Sequence, residues 1–244
     1  MVAIKTVNLR KEYKDIVAVD NLNLEIEEGE LFSLLGVNGA GKTTTIKMLS
    51  TLVLPTSGDG YIYDYSITKD EDKIKELVDV SMQETAIARK LTVEENIEFY
   101  AKLSGQSKEE IEANKEELYT AFGLEKVAKK QASKLSGGWQ RKLSIALALV
   151  TKPKVLFLDE PTLGLDVIAR RELWNTIREL KNKMTIILTT HYMEEAEALS
   201  DRIGIMKDGK LLFVGTKDKL FEKEKTNNIE EAFIRIVSGG NNNE

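Results

Sequence analysis

The sequence contains no cysteine, only three prolines and a single histidine in 244 residues. Without cysteine the chain has neither a disulfide framework nor a thiol nucleophile. The net charge of −5, with lysines and arginines spread along the chain, argues against nucleic-acid binding, which normally needs a basic face. The longest apolar runs, such as residues 143–150, are far shorter than the roughly 20 residues of a membrane-spanning helix. The sequence therefore predicts a soluble protein that would reach a membrane only through a partner.

Short apolar segments recur along the chain in two patterns. Leu22, Leu24 and Ile26 alternate with polar residues, which is typical of a half-buried strand. Near-continuous apolar runs, typical of strands buried on both faces, occupy residues 31–35, 155–158 and 185–189. We also expect a pair of strands at residues 60–63 and 78–82.

Segments with helical character separate these strands. Thr92 with Glu95, and Ser107 with Glu110, have the spacing of capping boxes that start helices. A helix is predicted at residues 42–50, another at 167–181 and terminal helices within 217–237, with further helical structure over about 89–149. Alternation of apolar strands and helices indicates a parallel sheet that is covered on both faces.

Residues 36–43, Gly-Val-Asn-Gly-Ala-Gly-Lys-Thr, form a P-loop motif between a predicted strand and a predicted helix. The glycines let backbone N–H groups turn towards phosphate oxygens, and the helix dipole favours negative charge there. We expect Lys42 to reach the β- and γ-phosphates and the Thr43 hydroxyl to bind Mg²⁺. An ordinary glycine turn is the alternative, and the strand and helix on either side argue against it.

Two further strand ends carry candidate catalytic residues. Asp159 and Glu160 follow the run 155–158, as in a Walker B strand. We expect Asp159 to hold Mg²⁺, directly or through water, and Glu160 to act as general base on the attacking water. His191 follows the run 185–189, where an imidazole can hydrogen-bond the γ-phosphate and the water. The alternatives, a solvated acidic loop and a structural histidine, are disfavoured by the P-loop.

In this order the three elements resemble the nucleotide-binding subunits of ABC transporters. The most specific match is Leu-Ser-Gly-Gly at residues 135–138, the signature motif that other P-loop NTPases lack. A serine and two glycines at a helix start form an anion site, which in the family serves the γ-phosphate of the ATP held by the opposite subunit. Gln83 resembles the Q-loop glutamine that senses Mg²⁺, and residues 164–166 resemble the D-loop. Tyr13 resembles the aromatic residue that stacks on adenine, with simple packing as the alternative.

The resemblance implies an ATPase whose cofactors are ATP and Mg²⁺. The catalytic residues would be Glu160, His191 and Lys42, and the Mg²⁺ ligands would be Thr43, Gln83 and Asp159. The nucleotide sites of a dimer would comprise Tyr13, Gly36, Asn38, Gly39, Ala40, Gly41, Lys42, Thr43, Thr44, Gln83, Ser136, Gly137, Gly138 and Asp166.

The resemblance covers residues 3–221 and implies the ABC ATPase form of the P-loop NTPase fold. This is an α/β fold with a mostly parallel central sheet flanked by helices, an N-terminal antiparallel β subdomain and an inserted helical subdomain. We predict an ATP-binding domain over residues 1–222, with the helical insertion at about 89–150. Residues 223–244 are predicted to form a C-terminal helix and a disordered tail.

Two positions depart from the family pattern. Trp139 occupies the fifth signature position, where many members carry glutamine. Residues 63–65, Tyr-Asp-Tyr, replace a glycine that is often found in that β-turn. The sequences of residues 135–143 and 191–198 are most similar to those of the exporter-like branch that handles drugs, antibiotics or lipids.

The implied function is ATP hydrolysis that powers a separate transmembrane permease, in the direction of export. Two subunits, identical or different, would sandwich two ATP molecules head to tail, so an isolated monomer should be nearly inactive. Ile87, Leu91 and Phe99 are candidate permease contacts, with burial in the core as the alternative. We expect a peripheral location at the cytoplasmic face of the cell membrane and no nucleic-acid partner. The competing hypothesis is an ABC ATPase of a soluble assembly complex that takes no part in transport.

Overall fold

The computed structural model describes residues 1–239, which contain ten strands and nine α-helices. The strands are β1 (Val2–Tyr13), β2 (Ile16–Glu27), β3 (Leu31–Leu35), β4 (Ser57–Ile62), β5 (Tyr65–Ser66), β6 (Val78–Ser81), β7 (Val155–Asp159), β8 (Thr185–Thr190), β9 (Arg202–Lys207) and β10 (Lys210–Gly215). The helices are α1 (Lys42–Leu49), α2 (Glu71–Leu77), α3 (Val93–Leu103), α4 (Lys108–Phe122), α5 (Gly137–Ala148), α6 (Val167–Leu180), α7 (Met193–Leu199), α8 (Lys217–Glu224) and α9 (Ile229–Val237). Short 3₁₀ turns lie at Leu124–Val127 and Ala132–Lys134.

The larger sheet has six strands in the order β10-β9-β3-β8-β7-β6. All of its pairs are parallel except β10 with β9. Leu156 and Leu158 of β7 pack into one hydrophobic core with the helices of residues 93–148, while Val155 and Phe157 pack into a second core with the other sheet. Burial on both faces explains the continuous apolar runs of these strands. The predicted, mostly parallel central sheet is confirmed.

The smaller sheet is antiparallel, with the order β2-β1-β4-β5. Leu22, Leu24 and Ile26 of β2 are buried, and the polar residues between them are exposed. One face of this sheet therefore packs on the core and the other faces solvent, as the alternation indicates. The predicted N-terminal antiparallel β subdomain is confirmed.

Helices α3, α4 and α5 form the inserted helical part of the chain. The Thr92 hydroxyl accepts the N–H of Glu95 at 3.2 Å, and the Glu95 carboxylate accepts the N–H of Thr92 at 2.8 Å. Ser107 and Glu110 make the same reciprocal pair at 3.3 and 2.7 Å. Each cap stabilises its helix by about 1 kcal/mol because it satisfies N–H groups that lack intrahelical partners. Both predicted capping boxes are present.

The structure also differs from the sequence predictions. Residues 60–63 and 78–82 do not pair with each other, because β4 pairs with β1 and β5 whereas β6 pairs with β7. Both predicted strands are present, but their predicted pairing was wrong, because the partners β1 and β7 lie far away in sequence. The helices predicted within residues 217–237 are present as α8 and α9, whereas strands β5, β9 and β10 and helices α2 and α7 were not predicted. Residues 240–244 of the predicted tail lie outside the described residues.

The turn between β4 and β5 shows how the chain accommodates the residue that replaces a glycine. Tyr63 adopts a left-handed backbone conformation with φ of 53°, which is uncommon for a bulky residue. Its hydroxyl lies 3.4 Å from the Glu28 carboxylate, and the Lys154 ammonium lies 5.3 Å from its ring centroid. These two contacts hold the Tyr63 side chain at the turn.

Within residues 1–239, no helix has both the length and the apolar character that a membrane crossing requires.

Asp79 is a half-buried carboxylate on β6, at the edge of the six-stranded sheet. It accepts the N–H of Val80 at 2.7 Å and the Thr151 hydroxyl at 3.3 Å. Burial outweighs both hydrogen bonds and raises the pKa of Asp79 from 3.8 to about 6. Between these two pH values the unfolded chain binds fewer protons than the folded chain. The free energy of unfolding therefore falls as the pH rises through this window.

We expect Asp79→Asn to raise the free energy of unfolding at pH 8 by about 1–2 kcal/mol and to lose this gain near pH 4. The amide can keep both hydrogen bonds, because its oxygen can accept from Val80 and its NH₂ can donate to Thr151. Urea denaturation at pH 4, 6 and 8 measures the effect. Asp64→Asn, at an exposed position, is the matched control. A gain of equal size at every pH would show that ionisation of Asp79 is not its cause.

Candidate active site

The carboxyl ends of β3, β8 and β7 lie side by side. Leu35 pairs with Thr190 and Asp159 pairs with Thr189 across these parallel strands. The P-loop, His191 and Glu160 consequently start from one edge of the sheet, where open α/β sheets bind ligands. The structure thus brings together the three motifs that the sequence predicted to meet.

Two glycines set the path of the loop at residues 36–41. Gly41 has φ of 103°, and a Cβ there would lie 2.4 Å from the carbonyl oxygen of Ala18. A Cβ on Gly36 would lie 2.5 Å from the carbonyl oxygen of Met206. Only glycine fits at either position. Helix α1 begins directly after the loop, so the N–H groups of its first turn, which lack intrahelical partners, can serve an anion.

Lys42 is a buried cation at the first residue of α1, with 5% of its surface exposed. Its Nζ donates to the carbonyl oxygens of Gly36 at 2.7 Å and Val37 at 3.2 Å. The same atom lies 3.2 Å from Oε1 of Glu160. Lys42 therefore already links the phosphate loop to the end of β7.

Asp159 is a buried carboxylate that faces two threonine hydroxyls. The Thr43 hydroxyl lies 3.0 Å from both carboxylate oxygens, and Thr189 donates to Oδ1 at 2.5 Å. Within residues 1–239, no cluster of three or more histidine or acidic side chains could hold a metal by itself. A hydroxyl, one carboxylate and the oxygens of a bound phosphate are nevertheless the ligands that Mg²⁺ takes in nucleotide sites. The residues present fit that ion.

Glu160 and His191 form a direct hydrogen bond. Nδ1 of His191 lies 2.6 Å from Oε2 of Glu160, and the His191 ring contacts the Tyr192 ring at a tilt of 41°, with 4.1 Å between centroids. Glu160 has a left-handed backbone with φ of 49°, and its N–H donates to the carbonyl oxygen of Thr189 at 3.1 Å. With Lys42 on its other oxygen, the Glu160 carboxylate lies between a cation and an imidazole. Each carboxylate oxygen of Glu160 thus has one side-chain partner.

These side chains border a cavity of about 720 Å³, a size suited to a nucleotide. Of the predicted site residues, those that line it are Tyr13, Asn38, Gly39, Ala40, Gly41, Lys42, Thr43, Thr44, Gln83, Glu160 and His191. Tyr13, 43% exposed, lies on the cavity wall and not in the core. Gly36 and Asp159 do not line the cavity, but they form hydrogen bonds with Lys42 and Thr43, which do. Another concavity of about 740 Å³, between α4 and α6, contains none of the predicted site residues.

The signature residues lie outside this cavity. Ser136 precedes α5 as its N-cap, and a Cβ on Gly138 would lie 3.1 Å from Cβ of Ala169 in α6. The Asp166 carboxylate caps α6 by accepting the N–H groups of Ile168 and Ala169, both at 2.9 Å. The signature and the predicted D-loop therefore adjoin each other, and within one chain neither reaches the P-loop cavity.

Trp139, the unusual signature residue, is half-buried. It packs against the hydrophobic core of the helical insertion, and the Lys142 ammonium lies 4.9 Å from its ring centroid. Of the three candidate permease contacts, Ile87 packs against the same core, Leu91 is half-buried and Phe99 is 45% exposed. The alternative of core packing thus describes Ile87, while Phe99 remains open to a partner.

Several residues that line the cavity were missed in the sequence. They are Ile16, Val17, Ala18, Leu163 and Asp208. Ile16 is 70% exposed although it is large and apolar, which is unusual for a strand residue beside a turn. Asp208 precedes Gly209 in the turn between β9 and β10, and an Asp-Gly pair is a recognisable hairpin signal. That signal could have located β9 and β10, and with them this wall of the cavity.

Comparison with known proteins identifies the family of the chain. The family model for ABC transporters matches residues 19–163. Phospholipid-transporting ATPase ABCA3 of Homo sapiens is 45% identical over 212 residues, which cover 87% of this chain and 12% of that protein. The probable multidrug ABC transporter ATP-binding protein YbhF of Escherichia coli is 35% identical over 240 residues, or 96% of this chain and 41% of that protein.

Among solved structures, the dimeric post-hydrolysis state of the ATP-binding cassette MJ0796, bound to ADP and Pi, matches with a TM-score of 0.78 at 29% identity. The match covers 87% of this chain and 98% of that chain. The chain spans less than half of the length of the curated relatives that it matches. Both relatives carry lipid or multidrug names, in line with the predicted branch. A family model that covers more than half of the chain, on a fold with the expected motifs in place, shows that the chain belongs to the ABC transporter family.

Proposed function

We propose that this chain binds and hydrolyses ATP as one of two nucleotide-binding subunits that power a separate transmembrane permease. The observation that carries the proposal is the contact of Lys42 and His191 with opposite oxygens of Glu160, at 3.2 and 2.6 Å, beside a P-loop. This arrangement supplies a phosphate ligand, a general base and an imidazole in one small volume.

ATP would enter with its phosphates against the P-loop. The N–H groups of the loop and of the first turn of α1 would bind phosphate oxygens, and Tyr13 would stack on the adenine. The phosphates would compete with Glu160 for the ammonium group of Lys42, which would leave the Glu160 carboxylate free to accept a proton. Mg²⁺, when bound, would neutralise phosphate charge, and Thr43 and Asp159 would hold it, with Gln83 beside them in the cavity.

Hydrolysis would proceed by attack of a water molecule on the γ-phosphate. Glu160 would accept the proton of that water as general base. His191 would orient Glu160 through Nδ1 and, when both ring nitrogens carry protons, would donate from Nε2 to the γ-phosphate. The proposed roles of Glu160 and His191 thus start from the hydrogen bond that the two side chains already form.

A second subunit would complete each site. Ser136, Gly137 and Gly138 do not line the cavity of their own chain, so the anion site at the start of α5 is left for the ATP of a partner. Exchange of signature for P-loop in both directions requires twofold symmetry or pseudosymmetry. The dimeric state of MJ0796 with ADP and Pi supports this arrangement.

The names of the relatives support transport over the competing role in soluble assembly. ABCA3 is named for phospholipid transport and YbhF for multidrug transport, so we propose export of an apolar or amphipathic cargo. Phe99 and Leu103 lie one turn apart on α3 and are 45% and 69% exposed. We propose that they contact the permease.

The chain would then lie at the cytoplasmic face of the membrane. Residues 1–222 would form its ATP-binding domain and residues 223–244 its C-terminal segment.

We expect Lys42→Ala to reduce ATP hydrolysis at least about 100-fold, because the cation on the β- and γ-phosphates is lost. Phosphate release by the purified dimer measures the rate, and thermal melting verifies that the variant is folded. Lys69→Ala removes an exposed lysine and should keep the parent rate. Parent-level turnover in a folded Lys42→Ala dimer would refute the P-loop assignment.

His191→Ala should slow hydrolysis strongly, by about 10²-fold, and leave ATP affinity within about threefold. The imidazole would act on the γ-phosphate and on Glu160 during reaction, whereas the P-loop provides most of the binding. Titration with a fluorescent ATP analogue and phosphate release together separate the two effects. Loss of ATP binding in a folded variant would mean that His191 is structural.

Glu160→Gln should lower the hydrolysis rate by about 10²–10⁴-fold without loss of ATP binding. Glutamine keeps the side-chain volume but cannot accept the proton of the water. Since hydrolysis would reopen the dimer, the variant should accumulate as a dimer with ATP trapped between its subunits. Gel filtration with ATP and Mg²⁺ should show about twice the 27.4 kDa of one chain, and ADP should leave a monomer.

Adding Ser136→Arg to Glu160→Gln should return the protein to the monomer, because the bulky side chain would obstruct the opposing γ-phosphate. A Glu160→Gln protein that hydrolyses ATP at the parent rate would contradict the mechanism. A slow variant that stays monomeric with ATP would contradict only a stable dimer in the absence of the permease.

A further inference from the structure

Arg141 lies one turn into α5, directly after the signature, and only 4% of it is exposed. Its Nε donates to the carbonyl oxygen of Pro161 at 2.8 Å, and one terminal nitrogen donates to that of Asp159 at 2.7 Å. The other terminal nitrogen donates to the carbonyl oxygens of Met82 at 2.5 Å and Gln83 at 3.3 Å. One side chain thus binds the backbone at four points.

The four acceptors belong to two segments of the active site. Asp159 and Pro161 flank Glu160 in sequence, so their carbonyl groups fix the backbone on both sides of the proposed base. Met82 and Gln83 follow β6 and lead into the helical insertion, and Gln83 lines the nucleotide cavity. Arg141 therefore joins the signature helix to the Glu160 segment and to the Gln83 segment at once.

Filling the volume that Arg141 occupies does not require a charged side chain. Among the ion pairs of residues 1–239, none includes Arg141, and its hydrogen bonds go to neutral carbonyl groups. Burial lowers the pKa of Arg141 to about 10, and the carboxylates of Asp159, Glu195 and Glu160 favour the charged form at longer range. An apolar side chain of similar length would fill this volume without the cost of burying a charge. What the apolar side chain would lack is the rigid fork of donors that spans the two segments.

A second contact holds α5 in the same orientation. The hydroxyl of Ser144, three residues after Arg141 and on the same side of the helix, lies 3.1 Å from the hydroxyl of Ser81 at the end of β6. The signature helix is thus joined through this side to the segment that carries Gln83. A shift of α5 would consequently displace the backbone around Glu160 and Gln83 as well.

We infer that Arg141 is a positioning residue that couples the signature helix to the general base. Its four hydrogen bonds fix helix α5, which begins at Gly137, against the backbone on both sides of Glu160 and at Gln83. Engagement of the signature by a partner's ATP is thereby transmitted to the position of Glu160 in the same chain. The inference rests on the proposed function and adds a residue to it that touches neither nucleotide nor water.

The test compares Arg141→Met, which keeps the length of the side chain and removes all of its donors, with Arg171→Met, at an exposed position on α6. We expect Arg141→Met to bind a fluorescent ATP analogue within about threefold of the parent and to hydrolyse ATP about 10–100-fold more slowly, as a misplaced catalytic group does. In a Glu160→Gln background, it should raise the ATP concentration needed for dimer formation by about tenfold or more. Arg171→Met should leave all three quantities unchanged.

The conservative variant Arg141→Lys retains the charge but has one nitrogen in place of the fork, so we expect hydrolysis between the parent and Arg141→Met. A folded Arg141→Met that hydrolyses ATP and dimerises like the parent would overturn the inference. Loss of ATP binding together with a lower melting temperature would also overturn it, because Arg141 would then be only a core residue. If Arg141→Met does not fold, Arg141→Lys decides: reduced hydrolysis with normal binding supports the inference, and the parent rate overturns it. A parent protein that does not hydrolyse ATP would instead refute the proposed function, and the inference with it.

Discussion

The parallel pairing of β3, β8 and β7 is the constraint on which the rest of the molecule depends. Neighbouring parallel strands end at one edge of the sheet. The phosphate loop, the acidic pair and the histidine therefore meet although they are far apart in sequence. The pairing needs apolar residues on both faces, which the helical insertion and the antiparallel sheet bury from opposite sides. The outer layers therefore cover the strands that carry the phosphate loop, the acidic pair and the histidine.

Much of this architecture could be predicted because its signals are local. The apolar runs of β3, β7 and β8, the alternation in β2 and the capping boxes at Thr92 and Ser107 each depend on a few consecutive residues. The wrong pairing of residues 60–63 with 78–82 has the opposite origin. Both segments are genuine strands, but the partners of β4 and β6 are contributed by β1 and β7, which are distant in sequence. Sheet order is a tertiary property, and a local pattern does not encode it.

The same distinction between local sequence signals and tertiary contacts applies to the residues of the site. The P-loop, Glu160 and His191 could be predicted because their chemistry requires particular residue types in a fixed order. Ile16 and Asp208 could not be assigned to the cavity wall, since their presence there depends on how the β1–β2 and β9–β10 turns approach the P-loop. Arg141 escaped prediction because a charged residue on a helix is normally exposed. Its burial is tolerated because the carbonyl groups of Met82, Asp159 and Pro161 accept hydrogen bonds from its guanidinium group.

The left-handed backbone of Glu160 limits which amino acids this position can tolerate, whatever their chemistry. With φ of 49°, side chains branched at Cβ clash with the neighbouring backbone, so valine, isoleucine and threonine would be disfavoured by shape alone. Glycine would adopt this backbone conformation without strain, but it would increase the flexibility of the segment and remove the carboxylate. In a saturation mutagenesis profile, the ranking of residues at this site would therefore combine two independent filters, one set by torsion angles and the other by proton affinity.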